Sequence, residues 1–150
     1  TVMGAALDGV GGPAAKVATT VAMDFGRVAL DDSLTLHLFG TPGQERFGFM
    51  WDDLVEGALG AIVLVDSQRL AESFGAIDYY ESRDVPFVIV VNRFNGVLAH
   101  SLDDVRTAVG VSNDVPVIAC DARDDQDVRD VLVGLLDRVL AHALERASAR

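Results

Sequence analysis

The chain has 150 residues, of which 50% are hydrophobic and 23% charged, and a formal net charge of -11. A chain of this length and composition buries about 70% of the surface it exposes when unfolded, which predicts one folded domain and excludes a disordered tail. The acidic excess argues against nucleic acid or an anionic membrane as the main partner. A single cysteine, Cys120, leaves no disulfide framework and predicts a reducing, cytoplasmic location, and the C-terminus has no cysteine for a lipid anchor.

The first predicted elements are a loop and a hairpin. Residues 1–18 are small and glycine-rich, which favours a loop or the remnant of a helix. Residues 20–30 then alternate apolar and polar side chains, Asp31, Asp32 and Ser33 predict a turn, and 34–39 resume the alternation. Two antiparallel strands joined by a tight turn are therefore expected here.

Strands and helices alternate through the rest of the chain. Three β-branched apolar runs, at 61–65, 86–91 and 115–120, are typical of strands buried on both faces of a parallel sheet. Helices are predicted between them, at 70–81 and 101–109, and a final helix carries one apolar stripe formed by Val128, Val131, Leu132, Leu135, Val139 and Ala143. This pattern predicts a single α/β domain over 1–150 with a doubly wound, mostly parallel sheet, whose ligands bind beyond the carboxyl ends of the strands.

The segments at those strand ends resemble motifs of the Ras-like small GTPases. Residues 20–25 (TVAMDF) are similar to the switch I stretch of Rab-type members, and residues 42–47 (PGQERF) are close to their switch II. The order of motifs matches over nearly all of 19–146. The nearest relatives by resemblance are the bacterial conservon-type GTPases, with the gliding-motility GTPases more distant. The family has strand order 2-3-1-4-5-6, in which strand 1 is central.

The resemblance implies a phosphate and magnesium site. Thr20 would bind Mg²⁺ through its hydroxyl and the γ-phosphate through its backbone N–H. Gly43 would let its N–H approach a phosphate, and Gln44 would orient the attacking water, which requires Gln44 and Thr20 to be close in space. Two plainer interpretations stay open. Thr20 would merely start a strand, and Pro42-Gly43 would merely form a turn.

The resemblance also implies a site for the base. Asn92 matches the asparagine that recognises guanine, the stem of Arg93 would cover one face of the base, and Ala122-Arg123 match the later motif whose alanine N–H donates to guanine O6. Asn95 stands where the family has aspartate. Because Asn offers one acceptor and one donor, it predicts a weaker preference for GTP and a tolerance of XTP. Alternatively, Asn95 caps the turn before Gly96.

Apolar residues near switch II predict a surface for regulatory or effector proteins, since aromatic and methionine side chains suit recognition. They are Phe47, Phe49, Met50 and Trp51. The alternative is that half of them belong to the core. The three histidines are scattered and predicted to be structural or solvent-facing.

Besides Asn95, two further departures from the family bear on function. The phosphate loop G-x-x-x-x-G-K-[ST] is absent, and we expect it upstream of Thr1 together with the first strand and helix, which would make the chain a fragment. The sheet would then lack its central strand, and strand exchange with a second chain, pairing of the flanking strands, or aggregation would fill the gap. Gly40 also replaces the aspartate of the D-x-x-G motif, which normally holds a magnesium-bound water.

These observations predict a GTP-binding molecular switch that hydrolyses GTP to GDP with Mg²⁺ in the complete protein. The isolated chain should bind GTP weakly or not at all and show no measurable hydrolysis, since the main phosphate-binding groups are absent. The alternative is a nucleotide-independent pseudo-GTPase that serves as an interaction module. A phosphorelay receiver domain is disfavoured because no Lys follows position 16.

Overall fold

The computed structural model describes residues 2–4, 24–41, 49–93 and 96–150, with the backbone alone at 2–4, 49 and 50. Within these ranges the fold is α/β, and six strands form one sheet in the order β2-β3-β1-β4-β5-β6. The strands are β1 Val2–Gly4, β2 Asp24–Ala29, β3 Thr35–Thr41, β4 Ala61–Val65, β5 Phe87–Asn92 and β6 Val117–Cys120. The helices are α1 Phe49–Val55, α2 Phe74–Ser82, α3 Leu102–Val109 and α4 Asp125–Ser148, with a 3₁₀ turn at Leu70–Ser73.

The predicted hairpin is present as the antiparallel pair β2–β3. Its turn is held by the Asp31 carboxylate, whose Oδ1 accepts hydrogen bonds from the backbone N–H groups of Ser33 (2.7 Å) and Leu34 (2.8 Å). These contacts lower the pKa of Asp31, with the Ser33 N–H as the largest cause. The register places Asp24 opposite Gly40. The other neighbouring strands are parallel.

The central strands are buried on both faces, as their uniform apolar sequences predict. In β5, Phe87, Ile89 and Val91 face the cluster beneath α2 and α3, while Val88 and Val90 face the cluster beneath α4. The residues of β4 alternate in the same way. The doubly wound arrangement is therefore confirmed, with helices on each face of the sheet.

The helices largely follow their sequence signals. Ser101 caps α3, and its hydroxyl accepts a hydrogen bond from the Asp104 N–H at 3.1 Å. Asp124 caps α4 by accepting from the N–H groups of Gln126 and Asp127. The predicted stripe of α4 packs against the sheet, except that Ala143 is exposed. None of the helices in the described part of the chain is long and apolar enough to cross a membrane.

The prediction that the central strand is missing is wrong. The segment Val2–Gly4, expected to be a loop or a helix remnant, forms β1 between β3 and β4 and is parallel to both. Its residues align with Phe39–Thr41 on one side and with Ala61–Val63 on the other. Phe39–Thr41 and Ala61–Val63 are therefore paired with a strand of this chain itself, and neither strand exchange nor direct β3–β4 pairing is needed at these residues.

Close packing between the sheet and α4 depends on Gly60. A Cβ at this position would lie 2.7 Å from the Pro86 carbonyl oxygen and 3.0 Å from side-chain atoms of Leu135 and Val139. We expect Gly60→Ala to lower the free energy of unfolding by about 1–3 kcal/mol, the usual cost of overpacking. Gly26→Ala is the control in urea denaturation, because among the described residues its Cβ would meet only the Leu38 Cβ, at 3.9 Å. Equal stability of the two variants would contradict this packing.

Candidate functional site

The candidate site lies at the carboxyl edge of the sheet, where β5 and β6 end side by side. Asn92, the last residue of β5, is paired in register with Cys120, the last residue of β6. The next backbone group continues this link, because the Arg93 N–H donates to the Cys120 carbonyl at 2.8 Å. The segments after the two strands therefore start together, which places Asn92, Arg93, Ala122 and Arg123 at one edge.

Asp127, in the first turn of α4, joins these two segments. Its Oδ2 accepts hydrogen bonds from the Asp121 backbone N–H at 2.8 Å and from Nη2 of Arg93. The Asp121 N–H is the largest cause and Arg93 the second of a lowered pKa for Asp127. The same contact raises the pKa of Arg93. One carboxylate thus fixes the loop after β5, the loop after β6 and the start of α4 relative to one another.

A second ion pair shapes the loop after β6. The Arg123 guanidinium binds both oxygens of Asp121, at 2.9 Å from Nε and 2.8 Å from Nη2, and the Arg123 N–H donates to the same carboxylate at 3.0 Å. The side-chain hydrogen bond from Arg123, followed by the backbone one, lowers the pKa of Asp121 to about 2. Asp121 therefore stays ionised and holds Arg123 back against its own loop.

One backbone donor at this edge is left over. The N–H groups of Asp121, Arg123 and Asp124 are bonded to Asp127, Asp121 and Asp121 respectively. Between them, the N–H of the exposed Ala122 has no acceptor within the ranges that the structure describes. A free N–H flanked by fixed neighbours is a ready donor for an oxygen of a ligand.

The Asp121–Arg123 pair makes the low-pH behaviour of this loop testable. The folded-state pKa of Asp121 lies below the unfolded value of about 3.9, so its contribution to stability is present above that value and is lost as pH falls toward 2. In Arg123→Gln, we expect the Asp121 carboxyl carbon to titrate closer to the ordinary range in an NMR pH series. An unchanged midpoint would show that Arg123 does not set this pKa.

Several predicted site residues fall outside the described residues. They are Thr20, Gly43, Gln44, Phe47 and Asn95. The expected proximity of Gln44 and Thr20 therefore stays a prediction. Within the described ranges there is no group of three or more His, Cys, Asp or Glu side chains placed to hold a metal ion by themselves.

Of the predicted partner surface, only the side chain of Trp51 is described. It is 5% exposed and meets the Tyr79 ring edge-on, with ring centroids 5.0 Å apart. Asp52 strengthens this contact between α1 and α2 by accepting from the Tyr79 hydroxyl at 2.7 Å and from Arg83 at 2.6 Å. Phe49 and Met50 begin α1. Trp51 is a core residue in this conformation.

The role of Asp127 is not predicted from the sequence. The acidic residues at 124, 125 and 127 predict only the start of a helix. The sequence feature that points to it is an acidic residue three positions after the capping Asp124, a few residues beyond the end of β6. Its two donors come from separate segments, so the link depends on the fold.

Comparison with known proteins places the chain in a nucleotide-binding family. The sequence model of the family described as "Conserved hypothetical ATP binding protein" matches residues 9–142, and the chain belongs to this family. An uncharacterized protein of Methanocaldococcus jannaschii is 36% identical over 76 residues, which are 49% of this chain and 49% of that protein. The match thus spans about half the length of this relative.

Proposed function

We propose that this domain is a guanine-nucleotide-dependent molecular switch of the Ras-like small GTPase type, with motifs that resemble those of the conservon-type GTPases. The strand order β2-β3-β1-β4-β5-β6 is the order that this resemblance implies. The base motifs stand at the carboxyl ends of β5 and β6, which is where open α/β sheets bind ligands. Membership of a nucleotide-binding family supports the same class of ligand.

The unpaired Ala122 N–H is the group proposed to determine specificity for guanine. Guanine presents a carbonyl oxygen, O6, where adenine presents an amino group, so an N–H donor at this point pairs with guanine and opposes adenine. The direction of the Ala122 N–H is restricted, because the backbone N–H groups of Asp121 and Arg123 on either side of it are hydrogen-bonded. We therefore propose GTP and GDP as ligands, although the family description names ATP.

Other residues proposed to contact the base lie at the same carboxyl edge of the sheet. Asn92 is half-buried beside Cys120 and would bind the base through its amide, together with Asn95. The guanidinium groups of Arg93 and Arg123 are already paired with Asp127 and Asp121, so their aliphatic stems are the parts left to cover a flat base.

Phosphate chemistry is assigned to residues outside the described ranges. Thr20 would bind Mg²⁺, Gly43 would donate its N–H to the γ-phosphate, and Gln44 would orient the water that attacks the γ-phosphorus. A bound Mg²⁺ would neutralise negative charge on the phosphate oxygens. Regulatory or effector proteins would bind the switch I and switch II segments, and Phe47, Phe49 and Met50 would contribute to the contact surface.

A second candidate is a nucleotide-independent pseudo-GTPase that acts as an interaction module. It is favoured by the sequence after β1, which reads AALDGVGGP and contains glycines but no Gly-Lys-Ser/Thr. Without that lysine and hydroxyl, much of the phosphate affinity of a G domain is lost.

Calorimetric titration of the chain with GDP, GTP, ATP and XTP distinguishes the two. We expect GDP and GTP to bind with dissociation constants above the micromolar range. ATP should bind at least about tenfold more weakly than GTP, because one hydrogen bond to the base would be misplaced. XTP should compete with GTP. Binding of no nucleotide at millimolar concentration would support the interaction module, and a preference for ATP would contradict the guanine assignment. Submicromolar GTP affinity would show that phosphate binding does not need the G-x-x-x-x-G-K-[ST] motif, which does not occur in this sequence.

A further inference from the structure

Asp24 and Gly40 face each other at the end of the β2–β3 hairpin. They are directly opposite in the antiparallel register, so their side-chain positions lie on the same face of the sheet. A Cβ at position 40 would lie 3.2 Å from the Asp24 Cβ and 3.8 Å from the Asp24 carbonyl oxygen. The Asp24 side chain therefore starts next to the place where a side chain at position 40 would start.

This place belongs to the candidate site edge. Gly40 and Thr41 end β3, and Gly40 is also aligned with Met3 of the central strand β1. On β3, alternation puts Gly40 on the face of Leu36 and Leu38, which pack in the cluster beneath α4. Asp24 is exposed, and its carboxylate has no hydrogen-bond or ion-pair partner among the described residues.

We propose that Asp24 supplies the carboxylate that the D-x-x-G motif would otherwise place at position 40, and that it binds the water shell of a nucleotide-bound Mg²⁺. This inference rests on the proposed nucleotide-binding function. Mg²⁺ on a nucleotide needs only one or two protein carboxylates or hydroxyls besides phosphate oxygens and waters. A single aspartate at this edge is therefore enough, even though the described residues form no complete metal cage.

The glycine at position 40 follows from the same geometry. Aspartate there would force two Cβ atoms to 3.2 Å and set two carboxylates opposite each other, which destabilises a strand pair. The two positions are thus complementary, with one carboxylate between them.

A plainer role for Asp24 is to keep the edge strand β2 from pairing with other chains, for which a charge is sufficient. That role does not depend on Mg²⁺ and is not restored by moving the carboxylate to β3. The two roles therefore give different results in an exchange experiment.

The experiment measures GTP affinity with Mg²⁺ and with EDTA, in the wild-type chain, in Asp24→Asn and in the exchanged pair Asp24→Gly with Gly40→Asp. Asp32→Asn, which removes an exposed carboxylate in the hairpin turn, is the control. We expect Asp24→Asn to reduce the Mg²⁺-dependent gain in affinity about tenfold while leaving the affinity in EDTA unchanged. The exchanged pair should recover the Mg²⁺-dependent increase in GTP affinity, and Asp32→Asn should retain it.

Three results would overturn the proposal. One is a full Mg²⁺-dependent gain in Asp24→Asn, and another is an exchanged pair that folds but stays as insensitive to Mg²⁺ as Asp24→Asn. In both cases the nucleotide-binding proposal survives, because the wild-type chain binds GTP. If the wild-type chain binds no GTP in either condition, the proposed function fails and this inference fails with it.

Discussion

Asn92→Ala is expected to weaken binding of GDP and GTP by about 10- to 100-fold, because a polar group of the base loses its partner at a cost of about 1–3 kcal/mol. The half-buried Asn92 lies at the meeting point of β5 and β6, aligned with Cys120. Loss of its amide leaves the loop contacts of Arg93 and Asp127 in place. The effect should therefore appear in nucleotide titrations and not in thermal unfolding of the free chain.

Asn113→Ala provides the matched control for this prediction. Asn113 is exposed in the connection between α3 and β6, which leads into the other end of the sheet. We expect wild-type affinity from it. Unchanged nucleotide affinity in Asn92→Ala would remove Asn92 from the base site.

Leu132→Ala is expected to lower the free energy of unfolding by about 2–5 kcal/mol, the range for a large side chain truncated in a core. Leu132 is 1% exposed and packs with Ile62 and Val90 of the sheet in the cluster beneath α4. A typical domain is stable by only about 5–15 kcal/mol, so this change removes a large fraction of that stability. Since α4 also carries Asp127, loosening this helix should disturb the link between the loops after β5 and β6.

Urea denaturation measures this effect, and Leu140→Ala on the same helix is the control. Leu140 is 61% exposed, so its truncation should change stability by about 0.5 kcal/mol or less. If both variants lose the same stability, the packing of α4 does not depend on this cluster.

The sequence predicts best the elements whose burial is uniform. The strand at Ala61–Val65 has the predicted bounds, because both of its faces are buried and every residue is apolar. The α4 stripe fails at Ala143, where the side chain is exposed near the end of the helix. β1 is missed for a different reason. Three residues are too few to show a period, and Val2–Gly4 is a strand because of its two distant neighbours.

The candidate site likewise contains residues that the sequence predicts and residues that it does not. Asn92, Arg93, Ala122 and Arg123 are predicted from their match to the base motifs of the small GTPases, and the structure brings them to one edge of the sheet. Asp127 and Asp24 gain their roles only from contacts across segments or from strand register, which composition and spacing do not specify. Trp51 is predicted at a partner surface, but its contact with Tyr79 places it in the core.

The proposed recognition of guanine depends on the sheet edge formed by Asn92 and Ala122. The most direct measurement is a ¹⁵N–¹H NMR titration of the labelled chain with GDP and, separately, with ADP. We expect GDP to shift the Ala122 amide resonance, as a new hydrogen bond to O6 requires, together with the resonance of the Asn92 side-chain amide. ADP should shift both much less at equal concentration. Equal shifts with ADP, or GDP binding that leaves both resonances in place, would contradict the proposed recognition of guanine.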